Sequence, residues 1–167
     1  MASAVPQRRL VGVEIERKFL VKRDLWKGGD SSLVYQQGYL SRERGRTVRV
    51  RRAGDRAFLT IKGESVGLVR PEYEYEIPLA DVDALLRLCH QPMIDKVRHL
   101  YVHEGHTWEV DEFRGANDGL WVAEIELSAA DEGFAHPPWL GNEVTGDPRY
   151  QNSNLVTHPF SVWGGLE

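Results

Sequence analysis

The stretch from Val11 to Val21 alternates with period two. Val11, Val13, Ile15, Phe19 and Val21 share one parity, Glu14, Glu16 and Lys18 the other, and Arg17 is out of step. Successive side chains of a strand point to opposite faces, so this is a β-strand with one apolar face and one charged face. Its two carboxylates and its ammonium stand about 7 Å apart along one side. Alone, such a strand reads as half-buried with its charges in water. What constrains the fold is that the pattern recurs.

Leu33 to Ser41 is extended, and Thr47 to Arg52 sets Arg49 and Arg51 against Val48 and Val50 before Gly54-Asp55 turns the chain into Ala57 to Lys62. From Arg70 to Ile77, Arg70, Glu72, Glu74 and Glu76 oppose Tyr73, Tyr75 and Ile77, and Pro78 closes the strand. Ile94 to Val102 presents Lys96 and Arg98 together. Thr107 to Phe113 sets Glu109 and Asp111 against Trp108 and Val110, and Leu120 to Leu127 sets Glu124 and Glu126 against Trp121, Ala123, Ile125 and Leu127. Gly141 to Gly146 is a last extended piece. Three helices are predicted: one capped by Asp81 with Val82, Leu85, Leu86 and Cys89 on its buried stripe, one from Ser128 through Phe134, and one from Arg149 to Val156 that Pro159 stops.

The charges come in blocks. Glu14 with Glu16, Glu72 to Glu76, Asp111, and Glu124 with Glu126 are acidic; Arg49 with Arg51, Lys62, and Lys96 with Arg98 are basic. Antiparallel neighbours bring such blocks together across one surface. That surface is either the solvated outside of a β-sandwich or the inside of a barrel whose apolar exterior is partly covered by helices. The wealth of bulky apolar residues on the opposite face favours the barrel. An eight-stranded barrel has room inside for side chains or one small ligand, and buried charges need partners because each costs several kcal/mol alone. The cavity must therefore hold water, ions or a charged ligand. Carboxylates suit a hard cation such as Mg2+ and Arg and Lys suit phosphate oxygens, which together point to a metal-bound polyphosphate.

The chain of 167 residues, 41% hydrophobic and 28% charged, is expected to form one soluble domain over 1–167. A net charge of −4 gives no support for nucleic-acid or membrane affinity. No apolar run approaches 18 residues and MASAVPQRRL lacks the apolar core of a signal peptide, so a cytoplasmic location is expected. One cysteine excludes a disulfide framework and any multi-cysteine zinc site, and no HExxH spacing occurs.

Glu14-Ile15-Glu16-Arg17-Lys18 matches an ExExK signature. Further on come QGYL at Gln37 to Leu40, RVR at Arg49 to Arg51, TIK at Thr60 to Lys62, the Arg70 to Ile77 strand, KVR at Lys96 to Arg98, WEVDEF at Trp108 to Phe113, AEIEL at Ala123 to Leu127 and EVT at Glu143 to Thr145. In this order, over nearly the whole chain, the set resembles the CYTH superfamily, the triphosphate tunnel metalloenzymes, and in particular short bacterial members similar to inorganic triphosphatases. Pro71 departs from the pattern and leaves the orientation of Arg70 open.

The resemblance implies a mainly β fold, an eight-stranded antiparallel barrel forming a charged tunnel, with helices outside and a C-terminal helix as a lid over one mouth. It implies that Glu14, Glu16, Glu124 and Glu126 ligate Mg2+ or Mn2+, and that Lys18, Arg49, Arg51, Lys62, Arg70, Lys96 and Arg98 hold phosphate oxygens. Lys18 and Glu16 would be catalytic, Lys18 by orienting or helping to deprotonate the attacking water, while Glu72, Glu74 and Asp111 would position the basic residues or a second metal. No P-loop is present, so side chains must neutralise the four to five charges of a triphosphate. Three activities remain open: metal-dependent hydrolysis of tripolyphosphate to pyrophosphate and phosphate, a class IV adenylate cyclase or thiamine-triphosphatase-like reaction, and polyphosphate or nucleotide binding without turnover. The implied partner is a small triphosphate-containing molecule, and a homodimer is the assembly left open.

Overall fold

A computed structural model describes residues 12–164, so Val11 and the segment MASAVPQRRL lie outside the described residues. Nine strands follow one another: β1 (Val13–Val21), β2 (Ser31–Glu43), β3 (Arg46–Ala53), β4 (Arg56–Lys62), β5 (Val69–Ile77), β6 (Ile94–His103), β7 (His106–Phe113), β8 (Trp121–Glu126) and β9 (Leu140–Glu143). Two short helices, α1 (Val82–Leu88) and α2 (Asn152–Leu155), complete the regular structure together with four single 3-10 turns.

The first eight strands close a barrel in the order β5-β4-β3-β2-β6-β7-β8-β1, with β1 returning to β5. Every pairing is antiparallel. Two-residue hairpins join β2 to β3, β3 to β4 and β6 to β7. At the β6–β7 turn Glu104 and Gly105 both take positive φ, 45° and 82°, the backbone that matches the right-handed twist of the flanking strands. β1 has one edge along β8. Its other edge is divided: Val13 to Ile15 pair with β5, whereas Phe19 and Val21 pair with β9.

Because charges face inward, the apolar faces point out and are covered piecewise. Ile15, Phe19, Trp108, Ile125 and Trp139 form one cluster under the segment that leads into β9. Tyr39, Ile94, Phe113 and Val122 instead share the parity of the inward charges, and with Tyr150, Leu155 and Val156 of the C-terminal segment they fill one end of the barrel interior. On β3 and β4, Val50 and Ala57 lie beneath Val82, Leu86 and Cys89, so the predicted stripe of α1 is the buried one. α1 ends so close to β2 that a Cβ at Gly38 would stand 2.6 Å from the Cys89 Cβ, which is why that strand position is glycine.

Three local expectations change. Asp81 makes no side-chain cap, and a 3-10 turn over Leu79–Asp81 leads into α1 instead. Ser128 to Phe134 is not a helix: Gly133 leaves too few residues for a self-supporting one, and Glu132 accepts from the Ser128 backbone N–H at 3.0 Å while meeting His106 Nε2 at 2.7 Å. The expected helix from Arg149 to Val156 is broken at Gln151, whose extended backbone separates a 3-10 turn over Pro148–Tyr150 from the four-residue α2.

Candidate functional site

The barrel encloses a cavity of about 790 Å³. Glu14, Glu16, Lys18, Arg49, Arg51, Lys62, Arg70, Glu72, Glu74, Lys96, Arg98, Glu124 and Glu126 all border it, so period-two parity alone brought these side chains to one place. Asp111 does not border it. It lies beneath Lys96 and Arg98 on the same inner face, with 0% of its surface exposed.

On β1 and β8, Glu16 stands directly opposite Glu126 and Lys18 opposite Glu124. Facing carboxylates repel, and the Lys18 ammonium, 3.4 Å from Glu124 and 3.9 Å from Glu16, partly relieves the crowding. Lys18 Nζ also donates to the Tyr150 carbonyl at 3.4 Å. Lys62, opposite Glu72 on β5, reaches across the cavity to Glu14 at 2.8 Å and lies 3.3 Å from Glu72. Arg49 and Arg51 share one acceptor, Glu74, at 3.5 and 3.2 Å, and the Thr60 hydroxyl donates to the same carboxylate at 2.8 Å. Despite Pro71, Arg70 borders the cavity and is anchored by the Gly63 carbonyl at 2.8 Å and Thr47 Oγ1 at 3.3 Å.

Asp111 fixes the third basic group. It accepts from Lys96 Nζ at 2.7 Å and from Arg98 Nε and Nη2 at 2.7 and 2.8 Å, while Arg98 also pairs with Glu109 and Glu124. Burial pushes the Asp111 carboxyl up, but Arg98 and Lys96 outweigh it and hold it below the usual carboxylate range. Burial lowers Lys96 to about 8 and Arg98 pushes the same way, with Asp111 opposing both.

The acidic wall behaves differently. Burial pushes Glu14 up to about 8 against the pull of Lys62, with Glu16 and Glu72 adding to the rise, and burial followed by Glu124 pushes Glu16 up to about 7. Burial opposes the charge on Glu124 as well, yet Lys18 and Arg98 prevail and keep it ionised. Among the described residues no three carboxylate, imidazole or thiol groups converge as a closed metal site, since ammonium groups stand between the carboxylates. The donors themselves are hard oxygens whose mutual repulsion a divalent cation would relieve, so the chemistry of the set fits such an ion.

Several lining residues escaped the sequence reading. Glu109 shares parity with Asp111 and pairs with Arg98, and strand parity alone could have found it. Tyr35, Phe58, Thr47 and Tyr39 also line the cavity, as do Gln151, Asn152 and Ser153 from the C-terminal segment. Asn152 Oδ1 receives long contacts from Gln37 Nε2 at 3.4 Å and Lys96 Nζ at 3.5 Å.

This geometry has close counterparts. The chain is 50% identical over 151 residues to an inorganic triphosphatase of Acetivibrio thermocellus, covering 90% of this chain and 97% of the relative. It is 36% identical over 148 residues to an inorganic triphosphatase of Nitrosomonas europaea, covering 86% and 96%. A solved crystal structure of an inorganic triphosphatase superposes with a TM-score of 0.63 at 33% identity, over 86% of this chain and 93% of that one. The profile of the CYTH domain matches residues 12–159, nearly the full described length, and the chain belongs to the CYTH domain family.

Proposed function

We propose that this protein is a metal-dependent inorganic triphosphatase that hydrolyses tripolyphosphate to pyrophosphate and phosphate inside the barrel. One observation carries the reading: arginines and lysines from β3, β4, β5 and β6 border the same enclosed cavity as the facing carboxylates of β1 and β8. A polyphosphate needs that many cations around it, and in-line attack needs its charge neutralised and the water aligned. The relatives named inorganic triphosphatase support the same substrate class.

In this reading Arg49, Arg51, Lys62, Arg70, Lys96 and Arg98 bind the phosphate oxygens. Glu72, Glu74 and Asp111 aim those cations. Glu14, Glu16, Glu124 and Glu126 hold Mg2+ or Mn2+, which when bound supplies Lewis acidity at a phosphoryl oxygen and lowers the pKa of water. Lys18, held as an ammonium beside Glu16 and Glu124, orients the attacking water, with Glu16 as the other catalytic group. The same reading takes 1–167 as one cytoplasmic domain acting on a free small molecule, without nucleic acid or membrane as partner and with a homodimer as one possible assembly. No helix among the described residues is long and apolar enough to cross a membrane.

A second substrate class, nucleoside or thiamine triphosphate, is favoured by one feature. Leu33, Phe58 and Leu100 give part of the cavity an apolar lining that suits an organic group. The test is phosphate release from tripolyphosphate, ATP and thiamine triphosphate, each with Mg2+, Mn2+ or excess chelator. Tripolyphosphate is expected to be the fastest substrate and to require the metal. Full activity in chelator overturns the metal role, and a preference for either organic triphosphate moves the protein to the second class.

A further inference from the structure

Tyr35 borders the cavity from β2, with Ala53 of β3 and Lys96 of β6 as its cross-strand partners. Its ring centroid is 4.9 Å from the Arg51 guanidinium carbon, 5.1 Å from that of Arg98 and 5.8 Å from Lys96 Nζ. Three basic side chains, drawn from the two strands that flank β2, thus gather around one aromatic ring. An aromatic face carries the negative part of the ring quadrupole and attracts cations that would otherwise only repel each other.

The three are not equally held by anions. Lys96 and Arg98 both rest on Asp111. Arg51 has a 3.2 Å contact to Glu74, which Arg49 shares, and its buried Nε finds no acceptor among the described residues. A second ring, Phe58, which is its cross-strand neighbour on β4, lies 5.6 Å from its guanidinium carbon. Burial and then Arg49 push the Arg51 pKa down against the pull of Glu74. Rings stand here where a second carboxylate could have stood. A carboxylate in that place would compete with an incoming anion for the guanidinium donors, whereas a ring face holds the group and leaves its N–H groups free.

We propose that Tyr35 is a positioning residue of the anion site, its ring face holding Arg51, Arg98 and Lys96 in the arrangement that receives a polyphosphate chain. The inference rests on the reading of the cavity as a triphosphate site. It also gives Phe58 a role as the second support of Arg51.

The experiment compares wild type, Tyr35→Phe, Tyr35→Leu and Phe58→Leu. Tripolyphosphate affinity is measured by calorimetry on metal-free protein, and kcat and KM are measured with metal. Tyr35→Leu is expected to weaken binding about tenfold and raise KM by a similar factor, equivalent to about 1.4 kcal/mol, with kcat within about threefold. Tyr35→Phe keeps the ring face and is expected to stay within about twofold of wild type. Affinity within about twofold of wild type in Tyr35→Leu overturns the proposal, as does a Tyr35→Phe variant as weak as Tyr35→Leu, or a fall in kcat at constant KM. If Tyr35→Leu does not fold, Phe58→Leu decides: several-fold weaker binding supports the ring-held arginine, and unchanged binding refutes it. Wild type that binds but never hydrolyses tripolyphosphate sinks the substrate reading while the binding comparison still tests Tyr35. Wild type that hydrolyses it while Tyr35→Leu binds normally sinks only the role of the ring.

Discussion

Asp111 shows how unevenly the cavity's charged residues divide their work. With no exposed surface it compensates two cations at once, so removing it leaves Lys96 buried without its carboxylate and strips Arg98 of a two-point partner, a loss of about 3–5 kcal/mol. Asp111→Ala is expected to lower Tm by about 6–20 °C, at about 2–4 °C per kcal/mol for a chain of this size. Arg49→Ala and Arg51→Ala remove cations that share a single carboxylate, and each is expected to raise KM about tenfold or more while shifting Tm by only a few degrees. An arginine variant that unfolds without changing the affinity of the folded fraction would make that arginine structural. Asp111 also sets an acid limit. Its folded pKa lies below the unfolded value of about 4, so its stabilising contribution is complete above that pH and is lost as pH falls through the folded value. Urea midpoints followed from pH 7 to pH 3 are expected to fall steeply below about pH 4 in wild type and less steeply in Asp111→Asn. These charged positions were legible because parity on a strand is unforgiving. Tyr35 was not, since an aromatic on a strand reads as core until the register places Lys96 and Arg51 beside it.

Among the elements, the C-terminal segment shows why a lid and a packing piece are hard to tell apart in sequence. Tyr150, Leu155 and Val156 are buried against β2, β6, β7 and β8, while Gln151, Asn152 and Ser153 line the cavity between them. One short stretch therefore does both. Arg42 reinforces its seat by donating to the Ser153 carbonyl at 2.8 Å and to Thr157 Oγ1 at 2.9 Å. The simple expectation that deletion from Arg149 leaves an intact barrel is replaced. Each large apolar side chain lost from such a cluster costs about 2–5 kcal/mol, so the truncated chain is expected to melt more than 10 °C lower or not to fold. Asn152→Ala spares those three anchors and is the cleaner probe, expected to keep Tm within a few degrees and to change KM for tripolyphosphate. A truncated protein with wild-type Tm and kinetics would remove the segment from both roles. The break at Gln151 was invisible because Tyr150 to Val156 satisfies helical spacing, and only the need to seat Tyr150 in the apolar cluster while Asn152 borders the cavity selects the extended residue between them.

At the scale of the molecule, the sequence displays an inverted barrel, with charges inside and apolar side chains outside. The sign blocks identified the shared surface, yet pattern alone left sandwich and barrel both open, because closure depends on a contact that no local periodicity announces. That contact is the pairing of Val13 to Ile15 with Val69 to Pro71. The other neighbours of the same strand arise still later in the chain, Glu16 meeting Glu126 on one side and Phe19 meeting Glu143 on the other. Synthesis runs from the N-terminus at about 5–20 residues per second, so the strand that carries the ExExK residues leaves the ribosome before every strand it pairs with and finds its last partner only once β9 has followed. Long-range pairings of this kind make folding slow, and until β9 has been made the most chemically committed strand of the protein lacks the partner for half of one edge.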